Sequence, residues 1–191
     1  YIYNLHSLYM RKTFEISVLM IFLSIVIIVY SVIRCNNKEL KDPLSTYPFG
    51  GQGTMMADVL DGWSLSHFTM FTLFGIYFPD HFAVIIMFGI LWELFEFLTS
   101  NSGIDIPILS WFRGISKCNA LSEENRDGHW MYAKISDIFV NTFGFCVGRV
   151  LSQSRLIKNI IKKNNITPVN LSVSLTILFA CVVYLYNLNV V

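Results

Sequence analysis

The sequence predicts an all-α fold, a polytopic membrane bundle of about five helices in a single domain. Three observations carry that expectation. The 191 residues are 54% hydrophobic and 14% charged, whereas a soluble domain is about 45–50% apolar and about 25% charged. The mean hydropathy is +0.54. The apolar residues gather into five runs separated by polar links. Backbone groups in lipid must be satisfied within their own segment, so apolar runs of this kind are helices.

The remaining composition excludes other classes. Lys and Arg number 14 against 13 Asp and Glu, for a net charge of +1. No basic surplus is present for a nucleic-acid groove, and no nucleic-acid partner is expected. Cys35, Cys118, Cys146 and Cys181 are far apart without a CxxC pair. That spacing indicates neither a disulfide framework nor a zinc site.

The expected spans are 14–33, 63–78, 81–98, 132–151 and 169–190. The first (FEISVLMIFLSIVIIVYSVI) has one charge, Glu15, at its edge. It is longer than the about 7–15 residues of a signal-peptide core and is read as a retained span. The second, Trp63–Phe78, is short, holds His67 and is ended by Pro79-Asp80. The third, His81–Leu98, follows at once and carries Glu93 and Glu96 near its end, so the two form an antiparallel hairpin. Thr99 to Met131 is polar and reads as a solvated loop with interfacial aromatics. The alternative is a lid touching a ligand through Trp111, Arg113, Arg126 or His129. The fourth span, Tyr132–Leu151, carries Asp137 and Asn141. A polar, basic link, Gln153–Asn165, precedes the fifth. Short basic loops face the cytosol, so Arg11, Lys12 and the link with Arg149, Arg155, Lys158, Lys162 and Lys163 are expected there. The acceptor patterns Asn165-Ile-Thr and Asn170-Leu-Ser would then carry no glycan.

Five polar groups stand where lipid penalises them: His67, Glu93, Glu96, Asp137 and Asn141. A carboxylate at mid-bilayer costs about 2.5–3.5 kcal/mol on insertion scales. The hairpin topology brings all five to one depth, on the side where Asp61 also lies. Glu93 and Glu96 are three apart and Asp137 and Asn141 four apart, so each pair shares a helix face. Convergent carboxylates with an amide oxygen suit Ca²⁺, Mg²⁺ or Mn²⁺. Each residue also has a plainer role. Glu93 and Glu96 are then interfacial caps, Asp137 pairs with Lys134, His67 packs, and Asn141 makes an interhelical hydrogen bond. Gly144 and Gly148 form a small-xxx-small step suited to close helix packing.

The ordered set Asp61-x₅-His67, WELFE at Trp92–Glu96, Asp137, and Asn141-x-x-Gly144-x-x-x-Gly148 resembles the base-exchange phosphatidylserine synthases. It covers residues 57–151, about half the chain. The resemblance implies a phosphatidyl head-group transferase in an endomembrane such as the endoplasmic reticulum. Its substrates would be a membrane phospholipid and a small hydroxyl or amino-alcohol compound, with Ca²⁺ as cofactor. It implies Glu93, Glu96, Asp137 and Asn141 as cation ligands, His67 as proton carrier and Asp61 as its orienting partner. The chain departs from that family in a longer segment between Glu96 and Asp137, in the four-residue step from Asp137 to Asn141, and in having no match to its WWD aspartate. The Asp137-x-x-x-Asn141-x-x-Gly144 step equally resembles VanZ-like membrane proteins. That likeness implies a non-catalytic protein binding a lipid or amphiphile. A purely structural scaffold is the third alternative, and monomer and homodimer both stay open.

Overall fold

The computed structural model describes residues 2–36, 44, 61–100, 106–116 and 133–188. Among these the regular elements are helices: α1 (Ile2–Asn36), α2 (Gly62–Tyr77), α3 (Phe82–Ser100), α4 (Pro107–Ser116), α5 (Ile135–Leu151), α6 (Arg155–Lys163) and α7 (Pro168–Leu188).

The helix patterns are those of a lipid environment. In α5 the outward residues are Ile135, Phe139, Phe143 and Val150, and the inward ones are Asp137, Asn141, Gly144, Phe145 and Gly148. Phe145 apart, the large apolar groups face out and the polar and small groups face in, the reverse of a helix packed on a water-soluble core. In α1, Phe14, Val18, Ile21, Ile25, Val29 and Ile33 are exposed along one stripe. Ile16, Leu19, Met20 and Tyr30 are buried along the other. Among the described residues, three helical segments are long and apolar enough to cross a membrane: Tyr9–Arg34, Phe82–Thr99 and Pro168–Leu188. A fourth arises if α5 and α6, which meet at 85°, are counted as one span. This is fewer than the five expected. At 16 residues α2 is about 24 Å long, short of the ~30 Å hydrocarbon core. The Pro79-Asp80 turn limits it, and His81 starts α3 by accepting the Ile85 amide.

The tightest packing is between α2 and α5, through glycine. A Cβ on Gly144 would lie 2.6 Å from the Phe68 carbonyl oxygen. A Cβ on Gly148 would strike the Thr72 carbonyl, and one on Gly75 the Phe145 carbonyl. Small residues let the two backbones touch, as membrane interfaces require where no hydrophobic force separates protein from lipid. Beside this seam, Phe71, Phe74, Phe78, Ile85 and Phe145 form the apolar core with α1. At one end α1 meets the α2–α3 turn, where Tyr9 stacks on His81 at 4.4 Å. Toward the other end Tyr30 packs on Trp63 of α2 and Phe179 of α7. The topology therefore has two distinct ends, one at the α2–α3 turn and one at the start of α2.

Two segments read from sequence as polar links hold helices. Residues 107–116 form α4, with Leu109 buried and Phe112 packed edge-on against Phe95 at 5.1 Å. Trp111 stays exposed. Arg126 and His129 lie outside the described residues. Residues 155–163 form α6.

Candidate metal centre

The seam between α2 and α5 continues from its glycines into polar residues on the same stripe. One turn apart on α5, Asp137 and Asn141 face Ser64 and His67 on α2. Ser64 Oγ donates to Asp137 Oδ1 at 2.8 Å, and the His67 Nδ1 and Asn141 Oδ1 atoms are 3.0 Å apart. All four side chains are buried. Sequence spacing alone did not single out Ser64, although it lies three residues before His67 and so on its face.

The third wall is α3. Its Gly89 leaves room for Asn141, whose Nδ2 would be 3.2 Å from a Cβ there. One turn on, Glu93 is 4% exposed and its Oε2 accepts the Lys134 backbone N–H at 3.1 Å. Trp92 Nε1 donates to Glu96 Oε1 at 2.9 Å. Asp61 is the N-cap of α2, accepting the Ser64 N–H at 2.8 Å. An aspartate just before an apolar helix is a recognised cap signal. The other Asp61 oxygen binds Lys134 Nζ.

The fold thus brings Asp61, His67, Glu93, Glu96, Asp137 and Asn141 to one end of the α2–α3–α5 packing. His67, Glu93 and Asp137 each offer a ligand atom, and these atoms lie within 4.8 Å of one another. Glu96, Asp61 and Lys134 line the same small chamber, of about 40 Å³, with His67 and Asp137. Two of the plainer readings are replaced. Lys134 pairs with Asp61 rather than with Asp137. Glu93 is buried, so it is not an interfacial cap facing head groups. The His67 ring is held by a hydrogen bond that Asn141 Oδ1 accepts, the partner position the resemblance gave to Asp61. Asn141 thereby also meets its plainer reading as an interhelical hydrogen bond.

Two buried polar atoms of these residues have no hydrogen-bond partner among the described residues: Glu93 Oε1 and Asn141 Nδ2. Native structures rarely leave such groups unpaired, because each unmet buried group costs about 1–3 kcal/mol. Two close carboxylates beside an imidazole, one of them with a bare oxygen, fit a divalent cation. With Nδ1–H donated to Asn141 Oδ1, the His67 Nε2 lone pair is left free to accept a proton or a metal. Larger apolar cavities adjoin the chamber. One, of about 240 Å³, is bounded by Met20, Phe88 and Phe95 and shares Ile27, Trp63, His67 and Trp92 with it. The next, of about 390 Å³, lies between α1, α2 and α7. No protein-family model, curated protein or solved structure matches this chain.

Proposed function

We propose that this chain is a multi-pass membrane enzyme of five spans that exchanges phospholipid head groups at a divalent-cation site. The observation that carries the reading is the buried meeting of His67, Glu93 and Asp137 with the unpaired Glu93 Oε1. Glu93 and Asp137 would hold the cation, and Glu96 and Asn141 are the further ligands proposed from adjoining positions. Calcium is the first expectation, and magnesium and manganese suit the same oxygens. When bound, the cation offsets charge on the phosphoryl oxygens of the lipid.

The chain's own residues supply the rest. Asn141 fixes the His67 ring so that Nε2 can take the proton of an incoming serine-like hydroxyl. The same nitrogen returns a proton to the departing head-group oxygen. Lys134 and Asp61 tie the start of α5 to the start of α2 and keep the polar residues in register. The adjoining apolar cavity gives an acyl chain a place beside a polar head group. A eukaryotic protein of this kind would sit in an endomembrane.

The same cavity also suits the second reading, a non-catalytic VanZ-like protein that holds an amphiphile without turnover. One experiment separates the two. Purified protein in mixed phospholipid vesicles is offered labelled serine, ethanolamine and choline, with calcium and with chelator. Calcium-dependent incorporation that disappears in Glu93→Gln supports the enzyme. A folded protein that incorporates none of the three removes the exchange reading and favours the binder.

A further inference from the structure

The helix α6 has no role at the site, and its geometry is specific. It leaves α5 at 85° after a three-residue turn and none of its residues is buried. Leu156, Ile157, Ile160 and Ile161 share one side, at spacings of one and four, and Arg155, Lys158, Asn159, Lys162 and Lys163 share the other. Leu156 is 67% exposed and Ile160 43%. Asn165, at φ 47°, takes the left-handed conformation after the helix and turns the chain into α7. Asparagine tolerates that conformation where most residues do not.

With α5 taken as one of the five proposed spans, a nine-residue helix at 85° to it and leading into α7 lies parallel to the membrane plane. It cannot enter the hydrocarbon, because four of its residues are cations. It cannot stand free in water without leaving two to four large aliphatic side chains solvated. The headgroup layer satisfies both faces.

Charge at this end selects the lipid. The contacts of Tyr9 with His81 and of Lys12 with the Phe78 ring put the N-terminal part of α1 at the same end as α6. Among the described residues, Arg11, Lys12, Arg149, Arg155, Lys158, Lys162 and Lys163 gather there against Glu15 and Asp80. Arg149 and Lys158 also border an open cleft of about 460 Å³ between α6 and the α2–α3 turn. That volume admits a phosphate-bearing head group.

We infer that α6 is an in-plane anchor for anionic phospholipid, its aliphatic edge in the acyl boundary and its lysines on lipid phosphates. The inference stands apart from head-group exchange, since it concerns the opposite end of the bundle. To test it, the full chain is prepared with its four cysteines replaced and a single fluorescent probe on Ile160→Cys or Asn159→Cys. Reconstitution is in phosphatidylcholine vesicles with or without phosphatidylglycerol. The 160 probe is expected to be blue-shifted and shielded from aqueous iodide, with the 159 probe open to it. Brominated phosphatidylglycerol should quench the 160 probe about fivefold more than brominated phosphatidylcholine, as one surface lysine gives about 1 kcal/mol. That ratio should fall toward one in K158Q/K162Q/K163Q, and likewise in the unsubstituted lysine background at high salt. Equal iodide access at 159 and 160 would overturn the in-plane placement. Equal quenching by the two brominated lipids at low salt would overturn the anionic selectivity.

Discussion

The two ends of the bundle carry charge in opposite ways. At the site end, Asp61, Glu93 and Asp137 are buried and held by Lys134, Ser64 and backbone amides. At the other end, cations predominate and lie at the surface, and Glu15 bridges Arg11 and Lys12 in contacts of 3.4 Å. Yet both ends are joined by one stripe on α2 and α5. Along it, hydrogen-bonding side chains at Ser64, His67, Asp137 and Asn141 give way to glycines at Gly75, Gly144 and Gly148. The difference teaches that close backbone approach at one end fixes the helix separation at which polar side chains meet at the other. It also separates charge that orders a buried site from charge that meets a solvent or lipid surface.

The sharpest test of that contrast removes chemistry while keeping shape. His67→Ala should lower head-group exchange by about 100-fold or more, as loss of a general base does, with cation affinity unchanged. Calorimetric titration with calcium checks the second clause, and a matching fall in affinity would make His67 a ligand rather than a base. Next is the buried ion pair. Asp61→Asn strips Lys134 of its charged partner and the α2 cap of its carboxylate. A loss of about 3 kcal/mol in detergent unfolding is expected, since one member of a buried pair is left uncompensated.

At the glycine end, Gly148→Leu drives a side chain into the Thr72 carbonyl. Overpacking of about 1–3 kcal/mol should follow, and exchange should fall although the site is several turns away. Intact exchange in this variant would break the claim that the seam sets the site. Asp137→Asn keeps an oxygen for Ser64 Oγ but removes a charge. Cation affinity should drop while thermal stability changes by less than about 1 kcal/mol. The smallest effect belongs to the exposed end. Glu15→Gln, against Arg11 and Lys12, should alter stability by no more than about 0.5 kcal/mol. A larger loss would mean that this end too is held by its charges.

The helices were legible where composition and period act locally. The apolar runs give α1, α2, α3, α5 and α7 within a few residues, except that α1 extends N-terminal of its apolar core to Ile2. The helix α6 was equally legible in its paired aliphatic spacing, but its charge made it read as a link. The helix α4 was hidden because a short segment among Ser, Asn and charged residues has no span-length signal, and its stability comes from Leu109 and Phe112 meeting their neighbours.

For the site, residue order alone shows which groups are out of place in lipid and, through the hairpin, that they share one depth. Each helix carries its own hydrogen bonds and its own inward face, so those facts need no partner. Which atoms meet depends on how the helices pack. Lys134 reaches Asp61 and not Asp137, Asn141 holds His67, and Ser64 holds Asp137. Those choices depend on the rotation and spacing of α2 against α5, which the glycine contacts set to within a side chain's reach. No period within a single helix encodes that rotation, because it is a property of two surfaces packed together.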